Sequence, residues 1–185
     1  TVNGGRIFAY SSANDAIDSN GFLQFNGGVV IAAGAGGMEE SFDCDNSSRF
    51  LIDGGTLIGL GGTSMAAPSS SSKQRTVLYG KVSVAKDNRL AILDSTGKLI
   101  DAITIPRTMS NMVLFYSSPV ITSGASFTIS KDGTVTDSTE SWEGWTSGGK
   151  WSDGTTVGTF TSSNVVTMVG STSSGPGGGM PGRPW

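Results

Sequence analysis

Asn3-Gly4-Gly5-Arg6-Ile7-Phe8-Ala9 has two kindred stretches further on: Asn26-Gly27-Gly28-Val29-Val30-Ile31-Ala32 and Asp53-Gly54-Gly55-Thr56-Leu57-Ile58-Gly59. From Asn3 to Asn26 is 23 residues, and from Asn26 to Asp53 is 27. A recurrence at roughly 20 to 50 residues marks stacked repeats. In each copy a Gly-Gly pair turns the chain, since glycine takes positive φ without a side-chain clash. A short apolar strand follows each turn.

Superposing the copies aligns their apolar residues. Leu23 falls over Phe50 and Phe25 over Ile52. After the turn, Ile7, Val30 and Leu57 form one column, and Ala9, Ala32 and Gly59 another. With a side-chain period of two, these columns face one side. One coil alone cannot bury its inner face, but stacked coils share a continuous core. The pattern predicts an all-β chain whose first part is a parallel β-helix. An antiparallel β-sandwich with Gly-rich turns is the plainer alternative. Phe8, Ile31 and Ile58 form the outward column, with Tyr10 and Leu60 beside it. A bare apolar face of that kind calls for a cover, either the strands after Thr76 or a second chain.

The whole chain has 185 residues, enough for one sizeable core. Its 28 glycines suit corners better than helices. A net charge of −3 with no basic cluster argues against nucleic-acid binding. The chain has no histidine, which removes the usual general base and excludes the standard Ser-His-Asp and Cys-His mechanisms. Cys44 is the single cysteine, so no internal disulfide forms. It aligns with Ile17 and is expected to point into the core. No segment is long and apolar enough for membrane insertion. The repeat is already under way at Thr1, which leaves room upstream for a signal peptide or earlier coils. The Gly, Ser and Thr richness fits an extracellular or cell-surface setting.

Four regions follow from the pattern. Residues 1–62 are the repeat, and 63–75 an irregular, serine-rich connector. Residues 76–170 carry short, largely antiparallel strands that pack on the solenoid or cap it; Asp94-Ser95-Thr96-Gly97 between apolar runs is a hairpin turn. Residues 171–185 are a Gly/Pro-rich tail, disordered unless its own domain or a neighbouring copy holds it.

The string Asp15-Ala16-Ile17-Asp18-Ser19-Asn20-Gly21, followed by Phe25-Asn26-Gly27-Gly28, is similar to a family of secreted bacterial proteins. So are Gly61-Gly62-Thr63-Ser64-Met65-Ala66-Ala67-Pro68-Ser69-Ser70-Ser71 and Val157-Gly158-Thr159-Phe160. These are the clostridial-type carbohydrate-binding-domain proteins, which look like pectate lyases. The resemblance covers nearly the whole chain and corresponds to the C-terminal portion of the family. It implies a right-handed parallel β-helix that binds plant-type or cell-wall polysaccharide. It also implies calcium held between coils, and no established lyase activity.

The acidic residues near the corners agree with a calcium site. Superposition places Asp18 over Asp45 and Ala16 over Asp43, with Asp15, Asn20 and Asn46 close by and Glu39 and Glu40 just before the third copy. Stacked carboxylates repel unless a cation bridges them or one takes up a proton. Calcium favours several oxygen ligands of these kinds. A hydrated acidic loop is the alternative. A lyase would also need a base, for which Arg49 is the nearest residue in sequence; the expectation is a protein that is not an enzyme. For sugar contact the candidates are Trp142, Trp145, Trp151 and Tyr10, because sugar rings stack on aromatic faces. Trp142 and Trp145, three apart, point to opposite sides of an extended segment, and the alternative role of the tryptophans is to cover the solenoid. The competing functional class is a self-assembling surface filament or homo-oligomer of stacked solenoids; a plain spacer within a larger surface protein is a third.

Overall fold

The computed structural model describes residues 1–63 and 66–170. The expectations for the tail lie outside the described residues. The repeat region supplies β1 (Arg6–Tyr10), β2 (Ile17–Ser19), β3 (Leu23–Ala33), β4 (Phe42–Cys44) and β5 (Phe50–Gly61). Next come β6 (Thr76–Val84), β7 (Arg89–Asp94), β8 (Leu99–Thr104), β9 (Met109–Ser117) and β10 (Ser126–Lys131). The last six are β11 (Thr134–Thr136), β12 (Glu140–Trp142), β13 (Trp145–Ser147), β14 (Lys150–Ser152), β15 (Thr155–Thr161) and β16 (Val166–Val169).

The chain is all-β. Its first sheet runs β1-β3-β5-β9-β6-β16 and its second β12-β13-β8-β7-β10-β15. Two small pairs, β2-β4 and β11-β14, lie outside these. β1, β3 and β5 pair in parallel, and Ile7 meets Val30, which meets Leu57. Ala9, Ala32 and Gly59 form the second column, and Leu23 and Phe25 meet Phe50 and Ile52. The expected columns are present. At the corner Asn26 meets Gly54, so Asp53 is one extra residue beside it. Gly28 and Gly55 have φ of 92° and 98°, and a Cβ on Gly55 would fall 2.8 Å from the Gly28 oxygen. Glycine is needed there both for its φ and for the close approach.

The chain as a whole is not a parallel β-helix. β9 enters the first sheet antiparallel to both β5 and β6, and the sheet is mixed. The second sheet is antiparallel throughout. Its hairpin turn forms as the sequence predicts: Asp94 Oδ1 accepts from the Thr96 backbone N–H at 2.8 Å and the Lys98 N–H at 3.0 Å. The serine-rich connector runs beside the first half of β5, where Ser69 N–H donates to the Phe50 carbonyl and Gln74 N–H to that of Ile52.

Two cores result. One lies on one face of the parallel strands β3 and β5, where Phe25, Phe42 and Phe50 meet Phe115 from β9; Phe115 lies 4.8 Å from Phe42 and stacks on Phe50 at 5.8 Å, centroid to centroid. Cys44 is buried in this core, as expected. The other lies between the two six-stranded sheets, where Ile31, Ile58 and Leu60 meet Leu90, Ile92, Ile103 and Phe127. The column of Ile31 and Ile58 is therefore covered by the later strands, over β3 and β5. A third, smaller cluster sits under Val135 and Trp151 of the β11-β14 pair.

Candidate functional site

The cover stops short of β1. Ile31 and Ile58 are fully buried, yet Phe8 in the same outward column is 37% exposed and Tyr10 46%. β1 is an edge strand of its sheet, and Arg6, Phe8 and Tyr10 share its exposed face. Alternate strand residues are about 7 Å apart, so the three side chains span about 13 Å. Trp142, on the edge strand β12 of the second sheet, holds one end: the Arg6 guanidinium lies 5.9 Å from its ring centroid, and Arg6 also pairs with Glu140. Arg107 holds the other end, 6.0 Å from the Tyr10 ring. The result is a strip of aromatic and guanidinium groups between two sheet edges. Cation–π contacts of this kind pre-orient the rings.

Arg107 also lines a pocket of about 180 Å³, with Gly36, Gly37, Gly61, Gly62, Thr108 and Ser110 among its walls. A guanidinium nitrogen donates to the Gly34 carbonyl, and its Nε is buried without an acceptor. Neither Arg6 nor Arg107 was a sequence candidate. Alternation along the first strand carries a signal for Arg6. Arg107 carries none, because it reaches Tyr10 only through the tertiary fold.

The other aromatic candidates divide. Trp145 is a correction: it is buried at 3% exposure between the sheets, and its Nε1–H donates to Asp101 at 3.0 Å, so no sugar can stack on it. It pairs directly with Trp142 across a two-residue turn, which puts the two tryptophans in neighbouring strands. Trp151 is half-buried; it donates to Ser130 at 2.9 Å and borders a shallow groove of about 530 Å³ with Lys98, Leu99 and Lys150.

The acidic corner differs in register from the expectation. Asp18 meets Asp43, not Asp45, and Cys44 meets Ser19, not Ile17. The reason is where the longer repeat places its extra residues. Residues 34–41 link β3 to β4 against 11–16 between β1 and β2, and 45–49 link β4 to β5 against 20–22 between β2 and β3. Two extra residues enter before β4 and two after, the latter as a 3-10 turn at Ser47–Arg49. An alignment anchored on the Gly-Gly corner shifts β4 by two. Asn46 caps that turn, its Oδ1 accepting from Ser48 N–H at 2.9 Å, while Asn20 and Asp45 are exposed. Arg49 rests over Phe22, 5.4 Å from its ring.

The carboxylates still sense one another. Burial, then the charges of Asp15, Asp18 and Asp45, hold the Asp43 pKa above its usual range. Glu40 is pushed up to about 7, by burial first and then by Asp43 and Asp15, against a hydrogen bond from the Ala66 N–H that pulls the other way. Asp15 accepts from the Glu40 backbone N–H. Among the described residues, no three carboxylates converge as a ready-made ligand set.

One buried polar network escaped the sequence. Asp101, 2% exposed, accepts from Tyr116 Oη at 2.6 Å as well as from Trp145. It ties β9 of the first sheet to β8 and β13 of the second. No known family model matches the chain, and neither any curated protein nor any solved structure is significantly similar to it.

Proposed function

We propose that the chain is an extracellular, non-catalytic polysaccharide-binding module, with the exposed strip on β1 as its platform. The observation that carries this reading is the uncovered end of the outward column. Phe8 and Tyr10 stay exposed where the equivalent positions of β3 and β5 are sealed. A strand that leaves aromatic rings bare, flanked by cations, suits the apolar faces and hydroxyl rims of sugars. The ligand would be plant-type or cell-wall polysaccharide, bound along the strip.

The same reading takes residues 1–62 as coils of a right-handed parallel β-helix, capped by residues 76–170. Its support is the matched register of β1, β3 and β5 and the separate parallel pair β2-β4. Calcium at the acidic corner belongs to it too, supported by the pairing of Asp18 with Asp43 and by Asp15 reaching the Glu40 backbone beside them. Calcium there would cancel the mutual repulsion of Asp15, Asp18 and Asp43. Binding to insoluble polysaccharides, compared between the native chain and Phe8→Ala/Tyr10→Ala, tests the platform. The double variant should lose at least about tenfold in affinity with its melting curve unchanged; equal binding removes the platform.

A filament is the second reading, and the sheet favours it at one point. Five of the six strands of the first sheet, β1, β3, β5, β6 and β16, run in the same direction, and β1 and β16 are its two edges. β16 of one copy could add in parallel to β1 of the next, a head-to-tail contact that propagates. Electron microscopy of the purified chain separates the readings: uniform fibres support assembly, and dispersed monomers remove it.

A further inference from the structure

We infer that a second copy of this chain docks across both sheet edges at once, its β16 beside β1 and its β15 beside β12. This rests on the filament reading above. It adds a second seam, and it names the backbone groups free to bond across each.

The two sheets end together. At one end β1 lies against β12, joined by Arg6 to Glu140 and Trp142. At the other, Val169 of β16 and Val157 of β15 pack on the same core, and Gly158 of β15 leaves room for the Tyr79 hydroxyl of β6. A copy shifted sideways, without rotation, therefore brings its β16/β15 end to the β1/β12 end of the first. Strand direction suits both seams. β1 and β16 run the same way, so they meet in parallel, as β1 and β3 do. The second sheet is antiparallel and has six strands, so β12 and β15 run opposite ways and meet antiparallel, as their neighbours do. Each sheet continues its own pattern across the boundary. At the first seam the lengths also agree, with five residues in β1 and four in β16.

These edges are unguarded. Proteins blunt free edges with charges, proline or bulges. β15 and β16 hold no charged residue and no proline, and the bulge of β15 at Val157 leaves residues 158–161 in regular register. The one charge on β1, Arg6, is neutralised by Glu140 of β12. Among the described residues, the exposed large apolar side chains include Phe8, Tyr10 and Met168, all on the edge strands of the first sheet. Alternation locates the free backbone groups. The Gly5 carbonyl accepts from Val29 and the Ser11 N–H donates to Ala33, so the N–H and C=O of Arg6, Phe8 and Tyr10 point outward. The Thr76 N–H donates to the Val165 carbonyl, which turns those of Val166 and Met168 outward. The Ser162 N–H donates to Ala125, which does the same for Thr159 and Thr161 of β15. In a parallel pair, Phe8 facing Thr167 would bond to Val166 and Met168 on either side of it.

One-sided variants test this. Proline at an outward position removes a free N–H without touching the bonds inside the sheet. Met168→Pro with Thr159→Pro closes the β16/β15 end and spares β1; Phe8→Pro closes β1 and spares the other end. Sedimentation of the full chain over a range of concentrations reads the size of the assembly. The native chain should form open-ended oligomers, and each variant alone should stay monomeric. An equal mixture of the two should stop at dimers, because one copy still accepts and the other still donates. Thr159→Pro alone should raise the concentration needed for assembly at least about tenfold, through the second sheet. Met168→Lys and Phe8→Lys, which guard the edges with charge, are run beside the prolines and should give the same pattern. Thermal melts identify the variants that keep the native fold. Native oligomers that both folded variants still form would overturn the seam while leaving the filament standing. Folded variants that stay monomeric when mixed would overturn the head-to-tail contact, and an indifferent Thr159→Pro would overturn the second seam. A native chain that is monomeric throughout would overturn the filament reading, and the docking with it.

Discussion

Glu40 sits where a charge is costly. Its ordinary pKa is near 4.5 and in the fold it is about 7, chiefly because burial strips its carboxylate of water. A folded pKa above the unfolded one means the folded chain holds a proton that the unfolded chain has released. The resulting stability is fully present below pH 4.5 and is lost as pH rises through 7. The loss is about 1–2 kcal/mol once solvent screening is allowed for. Melting temperature should fall between pH 5 and pH 8, and Glu40→Gln should flatten that slope. A cation that bridges the acidic corner acts on the same balance. Calcium at pH 8 should raise the melting temperature and EDTA lower it; a curve indifferent to both removes the metal. Asp101 makes the complementary case. Asp101→Ala would strand the Tyr116 O–H and the Trp145 N–H, at about 1–3 kcal/mol for each unsatisfied group; urea unfolding should show a loss of about 2–5 kcal/mol. The sequence could not announce this residue. Its partners lie 15 and 44 positions away, and nothing local distinguishes it from a surface aspartate.

At the scale of the elements, the parallel pairing of β1, β3 and β5 was the legible part. β1, β3 and β5 are near neighbours in sequence, the apolar residues after each corner recur at matching positions, and Gly-Gly marks each corner. The columns over β1, β3 and β5 therefore read directly from the residues. The β2-β4 pair did not, because two strands of three residues carry too little pattern to fix a register. A four-residue excess in the second repeat could be placed before β4, after it, or divided, and only the fold shows that it is divided. The corners themselves can be tested. Gly55→Ala forces a side chain into positive φ and against the Gly28 carbonyl, and should cost about 1–3 kcal/mol. Gly4→Ala, with no atom within 4 Å of the added carbon, should be silent in the same melt.

For the whole molecule, the strands after Thr76 were expected to cover the outward column; six of them form the second sheet that does so, while β6, β9 and β16 extend the first. That much followed from parity: Ile31 and Ile58 had to face something. How far the cover reaches, and that Trp145 belongs to it, depended on contacts between residues a hundred positions apart. The strip on β1 is what the cover leaves behind. Its candidate residues Tyr10 and Trp142 were legible; its cations became visible only with the two sheet edges in place. Phe115→Ala should show how much the first strands lean on the later chain. Removing a ring packed on both Phe42 and Phe50 should cost about 3–5 kcal/mol in urea unfolding.

The insertion of β9 beside β5 also sets an order of events for a newborn chain. The aromatic core of Phe25, Phe42 and Phe50 waits for a ring that leaves the ribosome 65 residues after Phe50. Until then Phe25, Phe42 and Phe50 lack their partner, and the parallel edge of β5 is open along its length. Such a wait lengthens folding and exposes sticky surface. Translation halted between Gly61 and Met109 should therefore leave fragments that clump, and cells making this protein should need chaperones most during that interval.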